Sequence, residues 1–258
     1  MAKTIEGICK LCGQQKQLTF EHVPPERAFN SVAIKAFSPK ITIDMMTGAG
    51  GRKPWDFSGL SGKVNQRGSG GFFLCSDCNS KTGSWYISEY IRLANIFHDI
   101  IETNKLKPGI SCSFQLIDLY PLRILKAIMT MYCDINNGCM GDDQLREFLL
   151  DKESCEFDGE KYKVYLYMAS PGMRRISGIS AISYNRIGFV MTSEIGCYPI
   201  GTVLFINKPD TFTPNGLLIN SFAEYKYNDK CNIDVVGIPY FEINSLLPLD
   251  YRSKDKFN

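Results

Sequence analysis

Two Cys-x-x-Cys pairs, Cys9-Lys-Leu-Cys12 and Cys75-Ser-Asp-Cys78, constrain this chain more than any other feature. Each pair can clamp an ion with two thiolates, and four thiolates close the tetrahedral shell that suits structural zinc. Gly13 follows the first pair directly, where a knuckle must turn with its amides facing sulfur. The 62 residues between the pairs are more than a short finger needs, so a β-hairpin and an insertion are expected between them. Cys9, Cys12, Cys75 and Cys78 are therefore read as the ligands of one structural Zn²⁺. The other six cysteines (112, 133, 139, 155, 197 and 231) form no such pair and are expected as buried thiols acting as small apolar groups.

The N-terminus, Met-Ala-Lys-Thr-Ile-Glu-Gly, carries an acid and no apolar stretch of the signal-peptide type. No run of eighteen or more uncharged apolar residues suggests a membrane span. A cytoplasmic location, with thiols kept reduced, is expected. Residues 1–107 carry 14 Lys/Arg against 9 Asp/Glu, whereas residues 108–258 carry 15 against 18. A basic first part and an acidic second part point to a polyanion partner for the first. Lys107-Pro108-Gly109 marks a boundary, giving a zinc-stapled domain over 1–107 and an α+β domain over 108–258.

Gln17-Leu-Thr-Phe-Glu-His-Val23 has the β-branched and aromatic content of a strand, which Pro24-Pro25 stops. A short helix over 26–29 is expected next. Residues 35–71 show little periodicity and hold eight glycines with Lys35, Lys40, Arg52, Lys53, Lys63 and Arg67, interleaved with Trp55 and Phe57. A long irregular stretch of this kind is read as a loop that contacts substrate. Arg52, Lys53, Lys63 and Arg67 are its candidate phosphate contacts. A second strand over 71–75 delivers Cys75. A helix then begins at Asp77, a good N-cap, and runs to about Asn104. Pro121 opens a helix through about Ile135 with one buried side, and Asp142-Asp143 opens another through Leu150. Strand-like runs follow over 162–168, 181–191, 201–206, 217–222 and 233–240. The fold class is α+β, with a mostly antiparallel β region after the helix pair and no internal repeat.

Glu21-His22 closes the first strand and Asn79 follows the last knuckle cysteine, so a zinc ion pinning the two knuckles would bring these three together. Phosphodiester hydrolysis needs a base for water and a divalent cation on the phosphate. An imidazole serves as that base near neutral pH, while a carboxylate and an amide oxygen are hard ligands suited to Mg²⁺ or Mn²⁺. His98, the other histidine, is read as a helix-surface or interface residue.

The run Cys9-x-x-Cys12, Thr19-Phe-Glu-His-Val-Pro-Pro25, Leu74-Cys-x-x-Cys-Asn79 and Gly83 resembles the HNH, or ββα-metal, endonucleases. It is most similar to their zinc-bearing branch, which includes junction resolvases of the phage endonuclease VII type. The resemblance covers about residues 7–90 and implies a treble-clef, ββα-metal module. It implies His22 as general base, Glu21 and Asn79 as ligands of the catalytic cation, and a nucleic-acid substrate, DNA before RNA. Three positions depart from the family. Glu21 stands where Asp is commoner, Gly83 where many members carry a further metal-binding His, and Gly70 where a middle Asn falls. Asn65 is the nearest asparagine to that last position.

The expected function is a metal-dependent endonuclease. Nucleases of this kind joined to an unrelated second half are similar to effectors of bacterial antiphage defence. The alternative is a non-catalytic zinc module that binds nucleic acid or protein. The second half is open to sensing, to tethering a protein partner or to self-association, and a site of its own within 110–258 is a third reading.

Overall fold

The computed structural model describes residues 5–46, 48, 51–184 and 188–257. β1 (Ile5–Ile8) and β2 (Gln15–His22) form an antiparallel hairpin whose turn is the first Cys-x-x-Cys pair. Cys9 N donates to Gln14 O at 2.9 Å, and Gly13 N to Cys9 O at 2.9 Å. Gly13 has φ 72°, a left-handed backbone that glycine adopts without cost. Residues 26–29 make a turn rather than the expected short helix. Ala28 N reaches Pro25 O, Asn30 N reaches Glu26 O, and the chain then leaves.

The stretch expected as an irregular loop contains β3 (Ile34–Ala36), α1 (Pro39–Met46) and β4 (Lys63–Asn65), with β3 and β4 paired antiparallel. Strands of three residues are too short to show a period, so they escape pattern reading. β5 (Gly70–Cys75) then joins the free side of β2, completing a three-stranded sheet in the order β1-β2-β5. The second knuckle leads into α2 (Ser76–Thr82), a π-helical turn over Gly83–Ile87, and α3 (Ser88–Thr103). Cys75 occupies the N-cap, two residues before the Asp77 cap that was expected. Asp77 lies within the first turn and pairs with Lys16 at 3.3 Å instead of capping.

The second half opens with β6 (Ser111–Leu119), followed by α4 (Pro121–Ile135) and α5 (Asp143–Leu150). Asp142 caps α5 by accepting from Leu145 N at 3.0 Å. Then come β7 (Tyr162–Ala169), β8 (Arg175–Tyr184), β9 (Gly188–Gly196), β10 (Ile200–Ile206), β11 (Leu217–Leu218) and β12 (Cys231–Phe241). They form one sheet in the order β6-β12-β7-β10-β9-β8, with β11 also on β7. All its pairings are antiparallel except β12 with β7, which is parallel at Tyr240–Met168 and Phe241–Ala169. Of the run expected as one strand over 181–191, residues 181–184 end β8 and residues 188–191 begin β9, while 185–187 lie outside the described residues. The run over 217–222 is a two-residue strand followed by a 3₁₀ turn at Asn220–Glu224. No helix among the described residues is long and apolar enough to cross a membrane.

α4 is buried on more than the one side its periodicity suggests: thirteen of its fifteen residues are buried. It lies against the π turn, α3 and β5 of the first half, and against β8 and the 3₁₀ turn of the second. Lys126 is inside this packing, and its ammonium donates to Phe148 O at 2.7 Å and Asp151 O at 2.6 Å, at the C-terminal end of α5. Carbonyls at a helix C-terminus are the natural partners of such a cation. One apolar core runs from Cys9, Leu74 and Tyr86 through α4 to Leu204 and Tyr240. It passes beneath the turn at 104–109, where Gly109 N donates to Tyr240 O at 2.8 Å.

Candidate active site

The four knuckle cysteines converge, with every Sγ within 4.8 Å of the others and three of the four residues buried. Zinc–sulfur bonds of about 2.3 Å place tetrahedral sulfurs about 3.8 Å apart, so the cluster is compatible with a structural zinc. The Cys75 amide donates to Cys9 Sγ at 3.3 Å. Hydrogen bonds from the Cys78 thiol and from backbone amides hold the Cys9 thiol well below its ordinary value, and the same contact pushes Cys78 up. The second half buttresses the first knuckle, since Arg146 Nε donates to Leu11 O at 3.1 Å. Gly138 rides over Lys10, where an added Cβ would meet the Lys10 carbonyl at 2.7 Å.

Of the remaining cysteines, Cys133, Cys139 and Cys197 are buried as expected, with Cys133 and Cys139 sulfurs 3.2 Å apart. Cys155 is exposed, and Cys112 and Cys231 are only half-buried. Cys155 lies in the turns after α5, where its thiol contacts the Tyr225 carbonyl at 3.3 Å.

Glu21, His22 and Asn79 line one cavity of about 160 Å³ at the end of β2. Side chains alternate along a strand, so Thr19 and Glu21 share one face of β2 and Phe20 and His22 the other. The pairing of β2 with β5 shifts register between Thr19 and Phe20, and past that point Glu21 pairs with Gly71 and His22 with Gly70. Asn79 Nδ2 donates to Thr19 Oγ1 at 3.1 Å, and that hydroxyl lies 3.1 Å from both Glu21 Oε1 and the Leu74 carbonyl. Thr19 thus ties the helix residue to the strand carboxylate. Its place in the quoted run was visible in sequence, but its bridging role was not.

The His22 ring is fixed by the Arg67 carbonyl, 2.9 Å from Nε2. A carbonyl only accepts, so Nε2 carries the proton and Nδ1 is the ring atom able to take one from water. This contact fixes the orientation of the ring. Gly70 admits no side chain there: an added Cβ would sit 2.2 Å from the Glu21 carbonyl and 2.9 Å from the Phe20 ring. Asn65 lies in β4 opposite Ile34. The loop that carries the Arg67 carbonyl is held by Asn30, which is fully buried. Asn30 accepts from Ser69 N at 2.8 Å and donates to Ser69 O at 2.8 Å and Pro24 O at 2.6 Å. Arg174 of the second half donates to Asn30 Oδ1 and, at 2.9 Å, to Phe29 O.

The same cavity receives a residue that motif reading did not find, Asp134 from the end of α4. It is 5% exposed, and its Oδ1 has no hydrogen-bond partner among the described residues. A lone aspartate in a predicted amphipathic helix carries no sequence signal of its own. Burial lifts the Glu21 carboxyl to about 7, with the Thr19 hydrogen bond opposing it. Burial also lifts Asp134 well above the usual carboxylate range, helped by the negative charge of Glu21. Folded protein therefore binds more protons than unfolded chain as pH falls toward the ordinary carboxylate range. Stability is highest below that range and is lost as pH rises through about 7. With zinc retained and no other divalent cation, the melting temperature should fall from about pH 6 to about pH 8, and Glu21→Gln should flatten that fall. A thermal-unfolding series across these pH values checks it; a flat wild-type profile is the contrary result.

The candidate phosphate contacts do not gather at this cavity. Arg52 donates to the Ser58 carbonyl at 2.9 Å and pairs with Asp56 at 3.6 Å, and Lys53 donates to Phe257 O at 2.7 Å. Lys63 and Arg67 are exposed. Trp55 and Phe57 are half-buried, Phe57 stacked on Phe37 at 4.8 Å and Trp55 edge-on to Phe257 at 5.2 Å. They line a larger cavity of about 1120 Å³ between the insertion and the second half, with Lys35, Arg174 and Lys254 on its walls. Val23 and Gly70 also line it, which brings it to the residues next to and paired with His22. His98 is a contact between halves: its Nδ1 is 2.6 Å from the Tyr198 hydroxyl, and its ring lies 4.5 Å from that of Phe29. Comparison with protein-family models, with curated proteins and with solved structures returned no match for this chain.

Proposed function

We propose that this protein is a metal-dependent endonuclease of the HNH, ββα-metal type that hydrolyses phosphodiester bonds in nucleic acid, with DNA as the expected substrate. One observation carries the reading: the end of β2 and the start of α2 bring Glu21, His22 and Asn79 to a single cavity beside a four-thiol cluster. In this reading the cysteines hold a structural zinc, and the hairpin, knuckle and helix around them serve as the treble-clef, ββα-metal module.

The oxygen donors suit the catalytic cation. Thr19 lies on Glu21 Oε1, and Asn79 spends its amide N–H on Thr19, so a carboxylate oxygen and the Asn79 carbonyl oxygen remain for a hard cation such as Mg²⁺ or Mn²⁺. Such a cation, when bound, supplies positive charge to the scissile phosphate and to the leaving 3′-oxygen. His22 takes a proton from water through Nδ1 as the water oxygen attacks phosphorus and the P–O3′ bond breaks. The Arg67 carbonyl keeps the ring aimed during that step. The cationic and aromatic walls of the larger cavity, which reaches Val23 and Gly70, support a polyanion substrate.

The test is plasmid nicking by the full chain with Mg²⁺ or Mn²⁺. Nicked circles that form with the cation and not with a chelator support the enzyme. Intact plasmid and intact RNA under all conditions support the non-catalytic zinc module instead.

Gly83 lines the cavity in the π turn with ordinary helical backbone, and an added Cβ there would meet nothing within 4 Å. Gly83→His should therefore fold and restore the family's third ligand. Mn²⁺ affinity is expected to rise about tenfold, a 1.4 kcal/mol gain. Unchanged affinity in a Mn²⁺ titration would show that position 83 does not reach the cation.

A further inference from the structure

We infer that Asp134, on the last turn of α4, is a third oxygen ligand of the divalent-cation site formed with Glu21 and Asn79, so that the cation bridges the two halves of the chain. The inference rests on the metal-dependent reading of Glu21 and Asn79 and adds to it a ligand from outside the hairpin-and-helix module.

Three observations carry it. Asp134 lines the same small cavity as Glu21, His22 and Asn79, although it lies more than fifty residues beyond the second knuckle. It is 5% exposed, and Oδ1 has no hydrogen-bond partner among the described residues. Its position is fixed, because α4 is buried along nearly its whole length and packs on the π turn that follows α2. A buried carboxylate oxygen without a partner is costly, and folded proteins keep very few of them. Where one is kept, an ion is among the standard explanations. Two hydroxyls on this cavity wall are engaged elsewhere: the Thr130 hydroxyl donates to the Lys126 carbonyl at 2.8 Å, and the Thr82 hydroxyl to the Cys78 carbonyl at 3.0 Å. The charged residue of β2 that lines the cavity with Asp134 is a second carboxylate, Glu21, which cannot compensate it. Glu21, Asp134 and the Asn79 amide oxygen line one cavity, with Glu26 also on its wall, and together they offer a hard, all-oxygen donor set, the chemistry that selects Mg²⁺ or Mn²⁺ over softer metals.

The arrangement has a functional corollary. Residues of the first half alone would form an incomplete cation site, and completion requires α4 to be docked. Cation binding and the seating of α4 against the module are then linked, and each strengthens the other.

The experiment is a Mn²⁺ titration of the full, zinc-loaded chain, with free Mn²⁺ read by its paramagnetic resonance signal and thermal unfolding recorded in parallel. Asp134→Asn keeps the shape and removes the charge. It should weaken Mn²⁺ by about tenfold or more and abolish the rise in melting temperature that Mn²⁺ gives the wild type, while the cation-free melting temperature does not fall. A structural role alone predicts the reverse, a lower cation-free melting temperature with Mn²⁺ affinity within about twofold of wild type, and that result overturns the inference. Should the asparagine variant not fold, Asp134→Glu retains the charge and moves the oxygens by one methylene. Weakened Mn²⁺ binding in that variant supports the assignment, and unchanged binding overturns it. Wild type that binds no Mn²⁺ overturns both this site and the metal-dependent reading. Mn²⁺ binding that depends on Asp134 in a chain that nicks no plasmid upholds the site and removes the nuclease.

Discussion

His22→Ala is expected to reduce plasmid nicking by about 10²–10⁴-fold while leaving zinc content and melting temperature near those of the wild type. The size is what a positioned general base usually contributes, the role proposed for His22. Stability should hold because His22 is only half-buried at a strand end, and its side chain's polar contact among the described residues is the carbonyl of the exposed Arg67. Rates measured with Mg²⁺ and Mn²⁺ by band conversion on a gel check this directly. A variant that nicks as fast as wild type would move the catalytic base elsewhere and leave Glu21 and Asn79 without a role in water activation.

Cys75→Ser is expected to have the largest effect on folding. Structural zinc contributes about 10–16 kcal/mol of binding free energy to small thiolate sites, all of which is folding free energy when the unfolded chain has no preformed site. Losing one of four thiolates should forfeit a substantial part of that, on the order of 5 kcal/mol here. Cys75 joins β5 to α2, and its amide donates to Cys9 Sγ, so the loss falls on the junction that aligns Asn79 with Glu21. Zinc content by elemental analysis and the unfolding midpoint should fall together, and nicking should disappear with them. Wild-type zinc content and an unchanged midpoint would show that the four thiols do not hold a structural ion.

The parts of this architecture that could be read from the chain are those whose signal is local. The knuckles announce themselves by spacing, β2 by its composition and its proline stop, α4 by Pro121 and α5 by Asp142. Glu21, His22 and Asn79 could be named because each is adjacent in sequence to an element boundary or a cysteine. What could not be read depends on contacts between distant segments. Asp134 looks like any polar residue late in a helix until α4 is packed against β5 and the π turn. Asn30 looks like a loop residue until Ser69 and Arg174 close on it. Sequence likewise does not show that Arg52 and Lys53, in the insertion, donate to carbonyls of their own chain. β6 was missed although Cys112, Phe114 and Leu116 alternate along it, because Ser111, Ser113 and Gln115 between them dilute the apolar signal.

The burial of α4 on both flanks bears on how the molecule can be handled. A fragment cut after residue 107 would keep every residue of the quoted motif, yet it would uncover the apolar surfaces of Tyr86, Tyr90, Leu93 and Phe97 that now share a core with α4. Arg174 would no longer hold Asn30, nor Arg146 the first knuckle. Such a fragment should aggregate or bind a foreign helix in place of α4. The chemistry-bearing segment is thus not a portable cassette, and its smallest self-sufficient version includes the helix that closes it from behind.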